Sequence, residues 1–222
     1  MKEILFILAV SSSSLYSMVP DFKVNYTVQD IMNEVETRIL KKEDFNSITF
    51  GIRKYYPLIE CARSDDHLSS SKKLLESGAD PNIRSPYGDT PLGFACKVCA
   101  VKTVKLLLKN KANPNESVET VLFTAFHTDH DHHYADVKKH ELFLSKRKKI
   151  ITLLLKSGIN PAIVNNEGQT AIQVALAGAC RPVTKEPYGP FYHDYYRADS
   201  AELAQFTLQE IERLNLVKKD CK

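Results

Sequence analysis

Five of the chain's seven histidines, His127, His130, His132, His133 and His140, fall in one short stretch with Asp129 and Asp131 among them. Imidazole nitrogens and carboxylate oxygens at this density are donors that suit Zn²⁺ or Cu²⁺, and His127, His130, His132 and His133 would be the first candidates to ligate. The spacing argues against a built site, because it offers neither a pair of histidines at i and i+4 nor a paired-cysteine site. A solvated polar loop is the favoured reading, with no metal and no cofactor expected.

Cys96 and Cys99 form "CKVC", a spacing used by redox and zinc half-sites. The chain's five cysteines are irregularly placed and odd in number, so they make no disulfide framework. This pair falls on a segment that reads as helix, where Cys96 takes the place of a small core residue. Two cysteines three apart on one helix are poorly placed for a strain-free disulfide. A third cluster, Tyr188, Phe191, Tyr192, Tyr195 and Tyr196, crowds a Pro- and Gly-containing loop, where packing with the Tyr ends at the surface is expected. The run Lys146–Lys149, "KRKK", reads as the solvated face of a helix.

No nucleophile–base pair, phosphate-cradling loop or paired carboxylates stand out, so no enzyme is expected. The formal charge of +3 is too small to argue for nucleic acid, and 43% hydrophobic with 26% charged residues is an ordinary globular balance.

The elements that carry these residues come from a repeat. "LLESGADPN" at Leu74–Asn82, "LLLKNKANPN" at Leu106–Asn115 and "LLLKSGINP" at Leu153–Pro161 are near copies. Gly78 to Lys111 is 33 residues, and Lys111 to Gly158 is 47. Ahead of the apolar runs recur "YPLIECA", "TPLGFAC", "TVLFTAF" and "TAIQVAL", beginning at Tyr56, Thr90, Thr120 and Thr170. Thr90 suits a helix N-cap and Pro91 the first helical position. A second helix then ends at a residue that must turn left-handed, which Gly78 and Gly158 do readily. In the middle copy either Lys111 does so at a penalty of roughly 1 kcal/mol or the helix ends a residue earlier with Asn110 in that position. The Asp/Asn-Pro-Asn turns send the chain out as a finger before the next Thr. A helix pair this small must stack on its copies to bury both faces.

This Thr-Pro-Leu phrase and period resemble the ankyrin repeat. The resemblance implies an all-α solenoid of stacked helix–turn–helix units with finger turns. Its usual His after Thr-Pro-Leu is replaced by Ile59, Gly93, Phe123 and Gln173. The units run at about 56–84, 85–117, 118–164 with the His-rich insertion, and 165–214 with the Tyr-rich insertion, within a domain of 56–222. Residues 18–55 form an N-terminal helical cap, its helix starting at Thr27 with Asp30 and carrying a stripe of Val28, Ile31, Met32, Val35 and Ile39. A longer helix from Asp199 closes the other end. The resemblance also implies a concave protein-binding surface, and its contact positions here are Arg84, Tyr87, Asp89, Lys97, Glu119, His127, Glu167 and Gln169.

Lys2, the apolar run Ile4–Val10 and the polar segment Ser11–Ser17 have the layout of a secretory signal peptide over 1–17, too short to span a bilayer. The expectation is an exported, non-catalytic, monomeric module that binds another protein, with host proteins as conceivable targets. The partner is neither nucleic acid nor membrane, and the location is secreted or periplasmic. The alternative is a metal-binding or metal-dependent hydrolytic protein using 127–140.

Overall fold

The computed structural model describes residues 26–50, 53–116, 121–126, 137–180 and 190–214. Helix α1 covers Val28–Lys41, and a hairpin of β1 (Ile48–Phe50) and β2 (Arg53–Tyr55) comes next, pairing Ile48 with Tyr55. Then come helix pairs: α2 (Pro57–Cys61) with α3 (Leu68–Glu76), and α4 (Pro91–Lys97) with α5 (Val101–Lys109). After them come α6 (Val121–Phe126) with α7 (Val137–Lys156), and α8 (Ala171–Cys180) with α9 (Pro190–Arg213). The first helices contact one another in the order α2, α4, α6, α8, and the second helices in the order α3, α5, α7, α9. One core of buried side chains, from Ile31 through Leu74, Leu107 and Leu154 to Ile211, runs through both layers.

The repeat is written in main-chain hydrogen bonds. Lys42, Gly78, Lys111 and Gly158 have φ of 58°, 92°, 66° and 83°. Behind each left-handed residue the next N–H reaches back to the helix, as in Ala79 N to Leu74 O at 3.0 Å and Ala112 N to Leu107 O at 3.0 Å. An Asp or Asn then folds over the turn: Asp44, Asp80, Asn113 and Asn160 accept the N–H two residues on at 2.9–3.0 Å. That second residue, where it is Asn, reaches into the next unit. Asn46 accepts from Asp80 N at 2.9 Å, Asn82 from Asn113 N at 2.7 Å and Asn115 from Asn160 N at 2.8 Å. The ladder stops where Ala162 replaces Asn.

This register changes the meaning of the N-terminal segment. The capping box at Thr27 and Asp30 forms as expected, and Ile31, Met32 and Val35 are buried. Ile39, expected in the same stripe, is 37% exposed. The segment is not helix alone, because Ile48–Phe50 and Arg53–Tyr55 pair as the hairpin. With its left-handed Lys42, its Asp44 turn and its Asn46 rung, α1 is the second helix of a further unit, and the hairpin is that unit's finger.

Two further expectations are corrected. The His-rich stretch, read as a loop, is not loop to its end, because α7 begins at Val137 and carries His140. Likewise α9 begins at Pro190, so the backbone of Phe191, Tyr192, Tyr195 and Tyr196 is helical rather than looped. Tyr188 lies outside the described residues. No described helix is long and apolar enough to cross a membrane.

Candidate protein-binding face

Between α3 and α4 the chain turns back on itself at Ser85–Asp89. Ser85 N donates to Asp89 O at 2.9 Å, and Gly88, at φ 83°, donates to Ser85 O at 2.9 Å. The Ser85 hydroxyl accepts from Tyr87 N at 3.3 Å and Asp89 N at 3.2 Å, and donates to the Asp89 carboxylate at 3.3 Å. The finger between α7 and α8 repeats this with another side chain. Asn165 Oδ1 accepts from Glu167 N at 3.0 Å and Gln169 N at 2.9 Å, while Gly168 donates to Asn165 O at 3.0 Å. Both turns satisfy their own polar groups, so each presents its tip in a fixed position.

At the first tip stands Tyr87, 89% exposed. Arg84, lower on the same finger, is engaged by the neighbouring finger: it donates to the Glu116 carbonyl and lies 3.7 Å from the Glu116 carboxylate. Asp89 immediately precedes Thr90, whose hydroxyl caps α4 by accepting from Gly93 N at 3.1 Å, with Pro91 in the first turn. Lys97 is exposed at the far end of α4. Glu167 and Gln169 sit on the last finger, next to Thr170, which shares a capping box with Gln173. The structure thus groups Arg84, Tyr87 and Asp89 on one finger and Glu167 with Gln169 on another. Glu119 and His127 lie outside the described residues, as do His130, His132 and His133.

Cys96, Cys99 and His140 are held inside the fold. Cys96 ends up on α4, but Cys99 lies past its end at φ 57°, so the two do not share a helix. Both are buried, and neither is in a disulfide. Burial pushes the Cys96 thiol well above its ordinary value, and that of Cys61 up to about 12, so both stay protonated at neutral pH. His140 is on α7 and lies 3.1 Å from the Asp199 carboxylate of α9.

The run 146–149 is corrected at one residue. Lys146 and Lys149 are exposed, but Arg147 is 1% exposed and points into the stack. It donates to Thr124 O at 2.7 Å, Ala125 O at 2.9 Å and Lys97 O at 3.2 Å. Those carbonyls end α4 and α6, where the negative ends of two helix dipoles meet. Its guanidinium also lies 4.8 Å from the Phe143 ring centroid. Sequence reasoning missed Arg147. It also missed the Asn rungs, although the Asp/Asn-x-Asn phrase at 44–46, 80–82 and 113–115 was a readable signal.

A sequence model of the family described as Ankyrin repeats (3 copies) matches residues 58–138. The chain carries ankyrin repeats. Over 46 residues, 21% of this chain and 18% of the relative, it is 54% identical to a fowlpox virus (strain NVSL) protein named as an ankyrin repeat protein, FPV243. Over 74 residues, 31% of this chain and 20% of the relative, it is 45% identical to an Arabidopsis thaliana protein named as an E3 ubiquitin-protein ligase, XBAT34. The chain therefore spans about a fifth of the length of these relatives. An ankyrin repeat domain of Acinetobacter baumannii AYE shares the fold, with a TM-score of 0.54 and 22% identity over 81% of this chain and 78% of that one. The family match ends at the start of α7, whereas the ankyrin geometry continues to the Asn165 finger and begins before the match, at α1. Ankyrin repeats generally mediate protein–protein interaction, and the fold is typically a non-catalytic scaffold.

Proposed function

We propose that this chain is a non-catalytic, monomeric module that binds another protein along its row of fingers and the first-helix layer behind them. The observation that supports this most is Tyr87, a large amphipathic side chain held at 89% exposure on a self-satisfied turn. A rigid exposed aromatic of this kind anchors contacts at little entropic cost. Arg84, Asp89, Lys97, Glu167 and Gln169 would form the polar surround, joined by Glu119 and His127. The test replaces Tyr87 and Asp89 together by Ala and measures binding to a partner captured by the unaltered chain. Binding should weaken at least about ten-fold with the melting temperature unchanged, as expected for a contact anchor. Unchanged affinity would discard this face.

The same proposal includes export, supported by the order of Lys2, the apolar run Ile4–Val10 and Ser11–Ser17. An exported module of this kind would meet proteins outside the cell that makes it, host proteins among them. Mass spectrometry of the secreted chain should find its N-terminus after Ser14 or Ser17, and recovery of the uncut chain inside the cell alone would end this part.

A further inference from the structure

The second-helix layer holds a groove of its own, of about 740 Å³, between α5, α7 and α9. Val101, Leu144, Leu153 and Phe206 give it an apolar lining, and all four are only partly buried. One wall is fixed by Lys148, whose ammonium lies 2.6 Å from Glu202 and 5.6 Å from the Phe206 ring centroid. That contact ties α7 to α9 across the groove and neutralises Glu202.

Charge around the groove is divided, with lysines on α5 and α7 and carboxylates on α9. Within it Lys148 and Lys149 balance Glu141 and Glu202. Beyond it, α5 adds Lys102, Lys105 and Lys109 with no carboxylate and α7 adds Lys138, Lys139, Lys146 and Lys156. By contrast, α9 adds Asp199, Glu210 and Glu212, with Arg213. The whole chain has a formal charge of only +3, so the lysine excess of α5 and α7 is local. An occupant that meets the lysines of α5 and α7 must bring an apolar stripe for the groove and carboxylates beside it. A flat lipid surface fits poorly, because the apolar side chains are recessed rather than projecting.

We propose that this groove docks an acidic amphipathic helix of another protein, its apolar stripe on Leu144, Leu153 and Phe206. The site is separate from the fingers and does not depend on their role.

The probe is a fluorescent synthetic peptide about four helical turns long, with Leu at i, i+3, i+4 and i+7 and Glu elsewhere. Controls are a scrambled peptide of the same composition and one with Lys replacing Glu. Anisotropy should show saturable binding of the periodic acidic peptide alone, weaker at high salt. Leu144→Glu should abolish it and Lys149→Glu should weaken it about ten-fold, while Tyr87→Ala changes nothing. Because Lys149 is exposed, that variant decides the matter should Leu144→Glu fail to fold. Equal binding of the scrambled peptide, no saturable binding, or indifference to Lys149→Glu overturns the proposal. So does association that Leu144→Glu removes but the peptide cannot compete, whether with anionic vesicles or between copies of the chain.

Discussion

The carboxylate of Asp65 caps a helix that belongs to the following unit. Its Oδ1 accepts the Thr103 N–H at 2.9 Å and the Thr103 hydroxyl at 3.0 Å, and its Oδ2 accepts the Lys102 N–H at 3.2 Å. These are the open donors in the first turn of α5, whose own N-cap residue, Ala100, supplies no side-chain acceptor. A bond normally made within one helix here joins two units.

Asp65→Ala should therefore cost about 1–2 kcal/mol, the worth of an N-cap, and Asp65→Asn distinctly less. Urea unfolding should show a lower midpoint with an unchanged slope. An alanine variant as stable as the parent would mean that water satisfies the two N–H groups without help.

Lys111 is the one left-handed residue in the three copies of the repeated phrase that is not glycine, at φ 66° against 92° and 83° for Gly78 and Gly158. Asn110, the alternative site for that turn, has φ −92° and is not left-handed. Lys111→Gly should stabilise the array by about 1 kcal/mol. A Cβ at Gly158 would meet nothing within 4 Å, so Gly158→Ala reads the backbone penalty with no steric part and should lower stability by a similar amount, about 1 kcal/mol. Calorimetry on the pair tests both directions, and a lower melting temperature for Lys111→Gly would refute the strain.

What the sequence disclosed was local. Gly78 and Gly158, the Pro-Asn turns, the Thr27–Asp30 box and the Thr90-Pro91 helix start each depend on residues a few positions apart, so their chemistry is visible in a short window. The finger contact positions came only from the resemblance to ankyrin repeats. The engagement of Arg84 by Glu116, 32 residues on, did not follow from it. The half-unit at α1 was hidden because Lys42 stands where a glycine would have announced the turn. Arg147 was hidden because its partners are main-chain carbonyls 22, 23 and 50 residues away, which leave no side-chain signature.

Arg147 therefore gives a sharp test of the seam between α4 and α6. Arg147→Leu keeps the bulk but leaves three carbonyls without this donor, and should cost about 2–4 kcal/mol. Arg147→Lys keeps the charge but not the planar fork that spans both helix ends, so it should recover only part of the loss. Equilibrium unfolding of both variants measures this. Full stability in the lysine variant would show that charge at the helix ends matters and the fork does not.

Asp199 links α9 to α7 through His140 and is 6% exposed. Burial raises its carboxyl above the ordinary 3.8, and the charge and hydrogen bond of His140 offset only part of that rise. The folded state thus binds the Asp199 proton more tightly than the unfolded chain. Its contribution is fully present below pH 3.8 and is lost as pH rises through the elevated folded value. Asp199→Asn retains an acceptor for the His140 N–H and removes the buried charge. The variant's stability relative to the parent should therefore increase as pH climbs from 3.8 toward neutrality, then level off. Urea midpoints for both proteins across that range decide the sign. A relative stability that falls with pH instead would mean that the ion pair with His140 outweighs the cost of burying the carboxylate.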